Sequence, residues 1–213
     1  MADKRISNCD AIEAALKLDG DPEQIKSFYE DWAGSYNSDT TVAEWIGPGI
    51  VARLLHEFQP DTDAQVLDAG CGTGFVGVEL NKLGYGHIDG FDLSAPMALQ
   101  AVSTEAYRDV LGDIDMMRAL EHYESESYDA VLSAGVFTLG HVPPEALEVL
   151  LQLTRPGGLI VVSTRSHYYD QTHYQQLVDE LIAAGRLELV HSIENATYNN
   201  DGEGHYWVYR RVS

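Results

Sequence analysis

Val66-Leu67-Asp68-Ala69-Gly70-Cys71-Gly72-Thr73-Gly74 is the stretch on which the rest of the chain turns. Two apolar residues lead in, glycines follow at 70, 72 and 74, and Phe75-Val76-Gly77 continues the run. An apolar strand that ends in a glycine-rich turn and opens a helix lets the backbone bend and approach a ligand where a Cβ would block it. In open α/β sheets such a turn lies at the carboxyl end of a strand, where ligands bind. Residues 72–77 also satisfy G-x-G-x-x-G, the dinucleotide fingerprint. That string alone does not separate a ligand loop from an empty strand-to-helix turn.

Downstream of the loop the chain alternates between strand and helix patterns. Residues 65–69 read as a short buried strand, 75–83 as a helix and 87–92 as a second strand. Ser94 caps a helix from 95 to about 106, and 109–111 is a short third strand. Residues 128–133 form a fourth. Pro143-Pro144 opens a helix whose Leu147, Leu150 and Leu151 share a face. Arg155-Pro156-Gly157-Gly158 stops it before a fifth strand, 159–164, and a helix over 174–184 ends at Gly185. Two last strands, 187–198 and 205–212, flank a polar turn too short for a crossover, so they form a hairpin. Near-continuous apolar strands alternating with helices predict an α/β, Rossmann-like doubly wound sheet, mostly parallel, with one antiparallel strand near the C-terminus.

Upstream the chain reads as helices. Asp21-Pro22-Glu23-Gln24 is a helix start: Asp caps, Pro takes the first helical position, and Gln stands three residues after the cap. A helix over 25–36 follows. Gly47-Pro48-Gly49 breaks the next stretch, and 50–55 resumes it. Residues 60–64 are a polar linker. The expected division is an N-terminal helical cap or lid, 1–60, and a ligand-binding core, 61–213, in one structural domain overall.

Asp92 ends the second strand, where a carboxylate can accept both hydroxyl hydrogens of an adenosine ribose. The loop and Asp92 together point to an adenosine-containing ligand without choosing between a nicotinamide dinucleotide and S-adenosylmethionine. Three features separate these. Asp68, two residues before the first glycine, suits a ligand ammonium and would repel a diphosphate. Gly112-Asp113-Ile114 follows the third strand and offers Asp113 to an adenine amino group. The chain then ends in a hairpin rather than a second βαβαβ half.

At this point the sequence resembles the class I S-adenosylmethionine-dependent methyltransferases. Residues 66–74 are similar to their first motif, Gly90-Phe91-Asp92-Leu93-Ser94 with Met97 to the second, and Gly112-Asp113 to the adenine-contacting one. Tyr128-Asp129-Ala130-Val131-Leu132-Ser133 and Arg155-Pro156-Gly157-Gly158-Leu159 resemble the fourth- and fifth-strand motifs. The likeness runs in order from residue 25 to 212. It implies a seven-stranded sheet with its last strand antiparallel, Asp68 near the methionyl amine, Asp92 on the ribose and Asp113 on the adenine amine. It also places the loop after Ser133 near the sulfonium, with Gly70, Cys71, Gly72, Thr73, Gly74, Leu93, Met97, Gly112, Ile114, Ser133, Ala134 and Gly135 around the cofactor. Phe28-Tyr29-x-x-Trp32-Ala33-x-x-Tyr36 is similar to the opening of the Williams–Beuren-region methyltransferase-like group.

Tyr29, Trp32 and Tyr36, spaced i, i+3, i+7, share one helix face. That face packs on the sheet, and as a lid it also turns aromatic rings toward a cationic ligand. Methyl transfer is an in-line displacement at an activated carbon, so the protein must align the groups and exclude water. A base is needed only for a nucleophile that arrives protonated. His141, in the loop after the fourth strand, is the candidate. Phe137 after the fourth strand and His167, Tyr168 and Tyr169 after the fifth are candidate substrate contacts. Cys71 reads as a buried filler rather than a nucleophile.

Composition narrows the substrate. The chain has 213 residues, 45% of them hydrophobic, and a formal charge of -21 from 13 basic and 34 acidic residues. Nucleic-acid enzymes need clustered Lys and Arg, so a DNA or RNA substrate and an anionic membrane surface are disfavoured. There is no long apolar run and no disulfide framework in the two cysteines, which fits a cytoplasmic setting. The histidines show no metal-ligand spacing, so no metal is expected. After the fourth strand Ser133-Ala134-Gly135-Val136 lacks the Asn/Asp-Pro-Pro-aromatic motif of many nucleic-acid nitrogen methyltransferases, and no insertion is present to hold a macromolecule. The expectation is methyl transfer from S-adenosylmethionine to a small-molecule acceptor, giving S-adenosylhomocysteine. The alternatives are a binder of the same cofactor that transfers no methyl group, and a nicotinamide-dependent oxidoreductase. The oligomeric state is left open.

Overall fold

The computed structural model describes residues 8–199 and 202–213, with the side chains of 8–10 and 42 excepted. Lys4, Arg5, the side chain of Cys9, and Asn200 and Asp201 of the expected polar turn lie outside the described residues.

Four helices come first: α1 (Asn8–Ala15), α2 (Pro22–Trp32), α3 (Tyr36–Val42) and α4 (Gly47–Phe58). The alternating part runs β1 (Val66–Ala69), α5 (Phe75–Lys82), β2 (Ile88–Phe91), α6 (Ala95–Ser103) and β3 (Asp109–Leu111), followed by a short 3-10 helix, Met116–Glu121. Then come β4 (Tyr128–Phe137), α7 (Ala146–Leu153), β5 (Thr154–Arg165), α8 (Ser166–Gln171), α9 (Tyr174–Ala183), β6 (Leu187–Asn199) and β7 (Gly202–Arg211). The strands form one seven-stranded sheet in the order β3-β2-β1-β4-β5-β7-β6. The first five strands pair in parallel, and β7 enters antiparallel between β5 and β6. This is the doubly wound sheet that the alternating pattern predicts.

Strand alternation explains why both faces are covered. Leu67, Val131, Ile160 and Val162 turn to the face packed by α7 and α9. Val66, Ala130, Leu132, Leu159 and Val161 turn to the other, under α4 and α5. Leu67, Val131 and Ile160 are wholly buried, as are their neighbours Val66, Ala130 and Leu132. Hydrophobic burial on two faces at once is what makes the strands read as apolar runs rather than alternating ones. Helix α4, inside the expected cap segment, packs directly on this sheet through Val51, Ala52, Leu54 and Leu55.

The structure shifts several expected boundaries. The helix read over 25–36 stops at Trp32, and Ala33-Gly34-Ser35 forms a turn, so Tyr36 begins a separate helix. The pause at Gly47-Pro48-Gly49 becomes the first turn of α4, where a proline is tolerated. Helix α6 ends at Ser103, and Glu105 takes φ 58° in the turn that follows. Strand β4 continues past Ser133 to Phe137, and β5 begins at Thr154 because the Pro-Gly-Gly stretch bulges out of register against β4 without leaving the sheet. Helix α8 and the 3-10 helix are only six residues each, too short for an apolar period to mark them in the sequence.

Candidate functional site

A cavity of about 320 Å³ opens at the carboxyl ends of β1, β2, β3 and β4, beneath α2 and α3. Gly70 and Gly72 line it from the loop after β1, and Phe91, Asp92, Leu93 and Met97 from the end of β2 and the start of α6. Ile114, Asp115, Met116 and Met117 follow β3, while Ala134, Gly135 and Val136 come from the end of β4. Tyr29 and Tyr36 close it from above, and His141 stands beside them. The glycine loop needs its torsions: Gly70, Gly72 and Gly74 have φ of 77°, 53° and 93°, a region that residues with a Cβ rarely adopt.

Asp92 is held at both oxygens. Oδ2 accepts from the Gly72 N–H and Oδ1 from the Ser94 N–H, each at 2.8 Å. Burial pushes its carboxyl up to about 6, against those two stabilising bonds. The side chain is fixed on the cavity wall with lone pairs to spare.

Asp68 is wholly buried and does not line the cavity. The Tyr107 hydroxyl donates to its Oδ2 at 2.7 Å and accepts from the Gly77 N–H at 2.9 Å, tying β1, the first turn of α5 and the segment before β3 together. Oδ1 is buried without a partner. Burial raises the carboxyl to about 7, partly opposed by the tyrosine bond. Cys71 fills the space beside Gly90, and burial drives its thiol well above the ordinary range. An unreactive thiol is the consequence.

Asp113 also stands apart from the cavity. Its φ of 61° turns it to Lys26 of α2, and the two pair at 2.8 Å. The acidic residue of this segment that reaches the cavity is Asp115, which the sequence reading missed. Trp32 is likewise absent from the large cavity. Its indole N–H donates to the buried carboxylate of Asp39 at 2.8 Å, which also accepts from the Ser35 hydroxyl. Thr73, Gly74, Gly112 and Ser133 hold the surrounding backbone rather than the wall, and the Ser133 hydroxyl donates to the Ala69 carbonyl.

His141 and Tyr29 form the polar centre beneath the lid. The Tyr29 oxygen and His141 Nε2 are 2.8 Å apart, and His141 Nδ1 lies 3.1 Å from the Leu139 carbonyl. A carbonyl only accepts, so Nδ1 carries the proton and Nε2 receives the tyrosine hydroxyl. Burial, with a smaller push from Arg165, lowers the imidazole below its usual range and keeps it neutral. Burial also holds the Tyr29 phenol far above its ordinary value.

The four candidate substrate contacts are not brought to this cavity. Phe137 and Tyr168 are buried in the core with Tyr174, and the Tyr168 hydroxyl donates to the Val142 carbonyl. Tyr169 stacks on Trp207, and His167 is exposed. Helix α8 is the cause: it carries the chain after β5 over the α9 face, away from the cavity mouth. A second, smaller cavity of about 70 Å³ does share Tyr29, Tyr36, Gly135 and His141 with the large one, and adds Thr138, Arg165 and Tyr198. Nothing in the local sequence pattern marks Arg165 or Tyr198; their meeting depends on how β7 and β6 return along β5. Among the described residues no cluster of metal-ligating side chains occurs, and no helix is long and apolar enough to cross a membrane.

Comparison with known proteins agrees with this geometry. Residues 44–213 match the model of a family described as a methyltransferase domain. Methyltransferase-like protein 27 of Homo sapiens is 31% identical over 173 residues, covering 79% of this chain and 70% of that protein. The malonyl-[acyl-carrier protein] O-methyltransferase of Serratia marcescens is 28% identical over 184 residues, 86% of this chain and 61% of that one. A TehB-like methyltransferase structure from Corynebacterium glutamicum superposes with a TM-score of 0.63 at 22% identity, over 87% of this chain and 98% of that one, a likeness of fold.

Proposed function

The chain belongs to the class I S-adenosylmethionine-dependent methyltransferases, and on that premise we propose that it methylates a small-molecule acceptor in the cytoplasm, with His141 as the proton acceptor. S-adenosylmethionine supplies, when bound, a methyl group already activated on a sulfonium. The residues present fit that cofactor. Asp92 is positioned to accept from ribose hydroxyls while its own two bonds prevent rotation. Leu93, Met97 and Ile114 offer apolar walls for adenine. The unpaired Oδ1 of Asp68, buried next to the glycine loop, is an acceptor that would favour the methionyl ammonium on that side of the cavity. A Cβ at Gly70 would lie 2.5 Å from Val136 Cγ2, so only glycine lets the loop pack against the end of β4 at the cavity wall. The rings of Tyr29 and Tyr36 cover the cavity and favour a cation beneath them.

The Tyr29–His141 pair carries the reading for the acceptor. It lies on the wall shared by the large and small cavities, where a nucleophile must pass. Neutral Nε2 has a lone pair directed at the tyrosine hydroxyl. As an acceptor O–H or N–H loses its proton to Tyr29, the tyrosine proton moves to Nε2 and His141 becomes imidazolium. The phenol remains neutral before and after, as its raised value requires. The lid helices leave room for a compact acceptor, and the charge of -21 opposes a nucleic acid.

The test is transfer of label from methyl-labelled S-adenosylmethionine into a cell extract divided by ultrafiltration. Label in the small-molecule filtrate supports the proposal. Label confined to retained protein or RNA overturns it, and cofactor binding with no transfer to either pool favours a cofactor-binding protein without methyl transfer.

A further inference from the structure

The smaller cavity has a cationic end, and no acidic residue stands among its described lining residues. Arg165 closes β5, and its guanidinium carbon lies 4.9 Å from the centre of the Tyr198 ring. Several other arginines engage carboxylates: Arg108 meets Asp89, Arg155 meets Asp129, Arg186 meets Glu148 and Arg211 meets Glu126. Among the described residues no carboxylate pairs with Arg165. The chain has 34 acidic and 13 basic residues, yet this part-buried guanidinium at the cavity has no carboxylate partner among the described residues. Thr138 lines the same compartment, is 6% exposed, and has a buried Oγ1 with no hydrogen-bond partner. A planar cation and an unspent hydroxyl donor face one small volume of about 70 Å³, too little for a whole ligand and enough for a terminal group.

We propose that the methyl acceptor carries a carboxylate that Arg165 and Thr138 hold in this side compartment. The inference rests on the small-molecule reading above and names its substrate class. The carboxylate is a handle rather than the nucleophile. A guanidinium that binds a carboxylate stabilises its negative charge and lowers its reactivity. The atom to be methylated therefore lies at the other end of the acceptor, at the junction lined by Gly135, Tyr29 and His141. The aromatic rings of Tyr36 and Tyr198 supply the apolar walls between handle and nucleophile.

The experiment uses the intact protein saturated with S-adenosylhomocysteine and follows weak binding by ligand-observed NMR. The probes are acetate, propionate and benzoate, each beside its neutral amide, with inorganic phosphate as a second anion. The carboxylates are expected to bind at least about tenfold more tightly than their amides, the size of one charge-assisted contact. Arg165→Gln removes that preference, Arg165→Lys restores part of it, and Thr138→Val weakens carboxylate and not amide binding. Affinity for S-adenosylhomocysteine stays within about twofold in all three variants, since RT ln 2 is below the energy of a lost hydrogen bond. Equal binding of carboxylates and amides by the wild type overturns the proposal, as does a preference for phosphate. A fall of about tenfold or more in S-adenosylhomocysteine affinity for Arg165→Gln also overturns it, because the guanidinium would then hold the cofactor's own carboxylate. Failure of the small-acceptor reading is seen separately, as label in the retained macromolecules of the ultrafiltration experiment.

Discussion

Single residues here are legible in kind and less so in aim. Asp92 stands where a strand-terminal carboxylate must stand, and the structure pins both its oxygens. Asp68 was read as facing a ligand, and the structure turns it to Tyr107, a partner thirty-nine positions away that no local pattern announces. The consequence is a stability effect with a definite sign. Asp68 holds its proton up to about pH 7 when folded and to about 4 when unfolded. The folded chain binds more protons between those values, so this group lowers stability as pH rises from about 4 to 7, by up to about 4 kcal/mol. Asp68→Asn keeps an acceptor for Tyr107 and removes the charge. Urea unfolding at pH 5 and pH 7.5 is expected to show the variant gaining on the wild type at the higher pH; an unchanged difference would refute it. For His141, nitrogen-detected NMR at pH 7 is predicted to show the neutral Nδ1–H form, titrating below the ordinary imidazole value of about 6.5. An imidazolium at neutral pH would remove its role as proton acceptor. Once an acceptor is known, kcat should fall as pH drops below the ordinary imidazole range and His141 takes up its proton, and the limb should vanish in His141→Asn.

Among the elements, periodicity revealed those that bury a face and missed those that do not. The central strands and helices α4, α5, α7 and α9 carry apolar patterns because each buries a face in the core of the sheet. Helix α8 and the 3-10 helix are short, and their positions follow from β5 and β3 ending where they do. That is why His167, Tyr168 and Tyr169 were assigned to the cavity mouth from chain order, and why the fold carries them elsewhere. The reverse holds for Arg165 and Tyr198, which long-range strand pairing joins. Gly77 offers a test at this scale. It lies inside α5, where Gly→Ala ordinarily gains about 1 kcal/mol of helix stability. A Cβ there would sit 2.2 Å from Tyr107 Cζ and 2.6 Å from its hydroxyl oxygen. Gly77→Ala is therefore expected to destabilise, by about 1–3 kcal/mol of overpacking, and to release Tyr107 from Asp68. A stabilised variant in thermal unfolding would show that this three-way tie is slack.

For the whole molecule, fold class followed from the alternation of strands and helices and from the hairpin at the end. The antiparallel course of the last strand came from the family resemblance, and the sheet order adds what neither pattern nor resemblance stated, that β7 lies between β5 and β6. The net charge of -21 acts at this scale too. Self-repulsion opposes compaction, so the melting temperature should rise between low salt and about 0.5 M sodium chloride, where screening is short-ranged. A flat or falling profile would mean that local ion pairs outweigh the overall field. The central claim is that the glycine loop and Asp92 bind an adenosyl sulfur cofactor. It is tested most directly by calorimetric titration with S-adenosylmethionine, S-adenosylhomocysteine and NAD, repeated on Asp92→Ala after its fold is checked by circular dichroism. Both sulfur compounds should bind and NAD should not, and the substitution should weaken binding by about ten- to a hundredfold, the worth of hydrogen bonds to a charged group. Binding of NAD in place of the sulfur compounds, or undiminished binding by Asp92→Ala, would contradict the account.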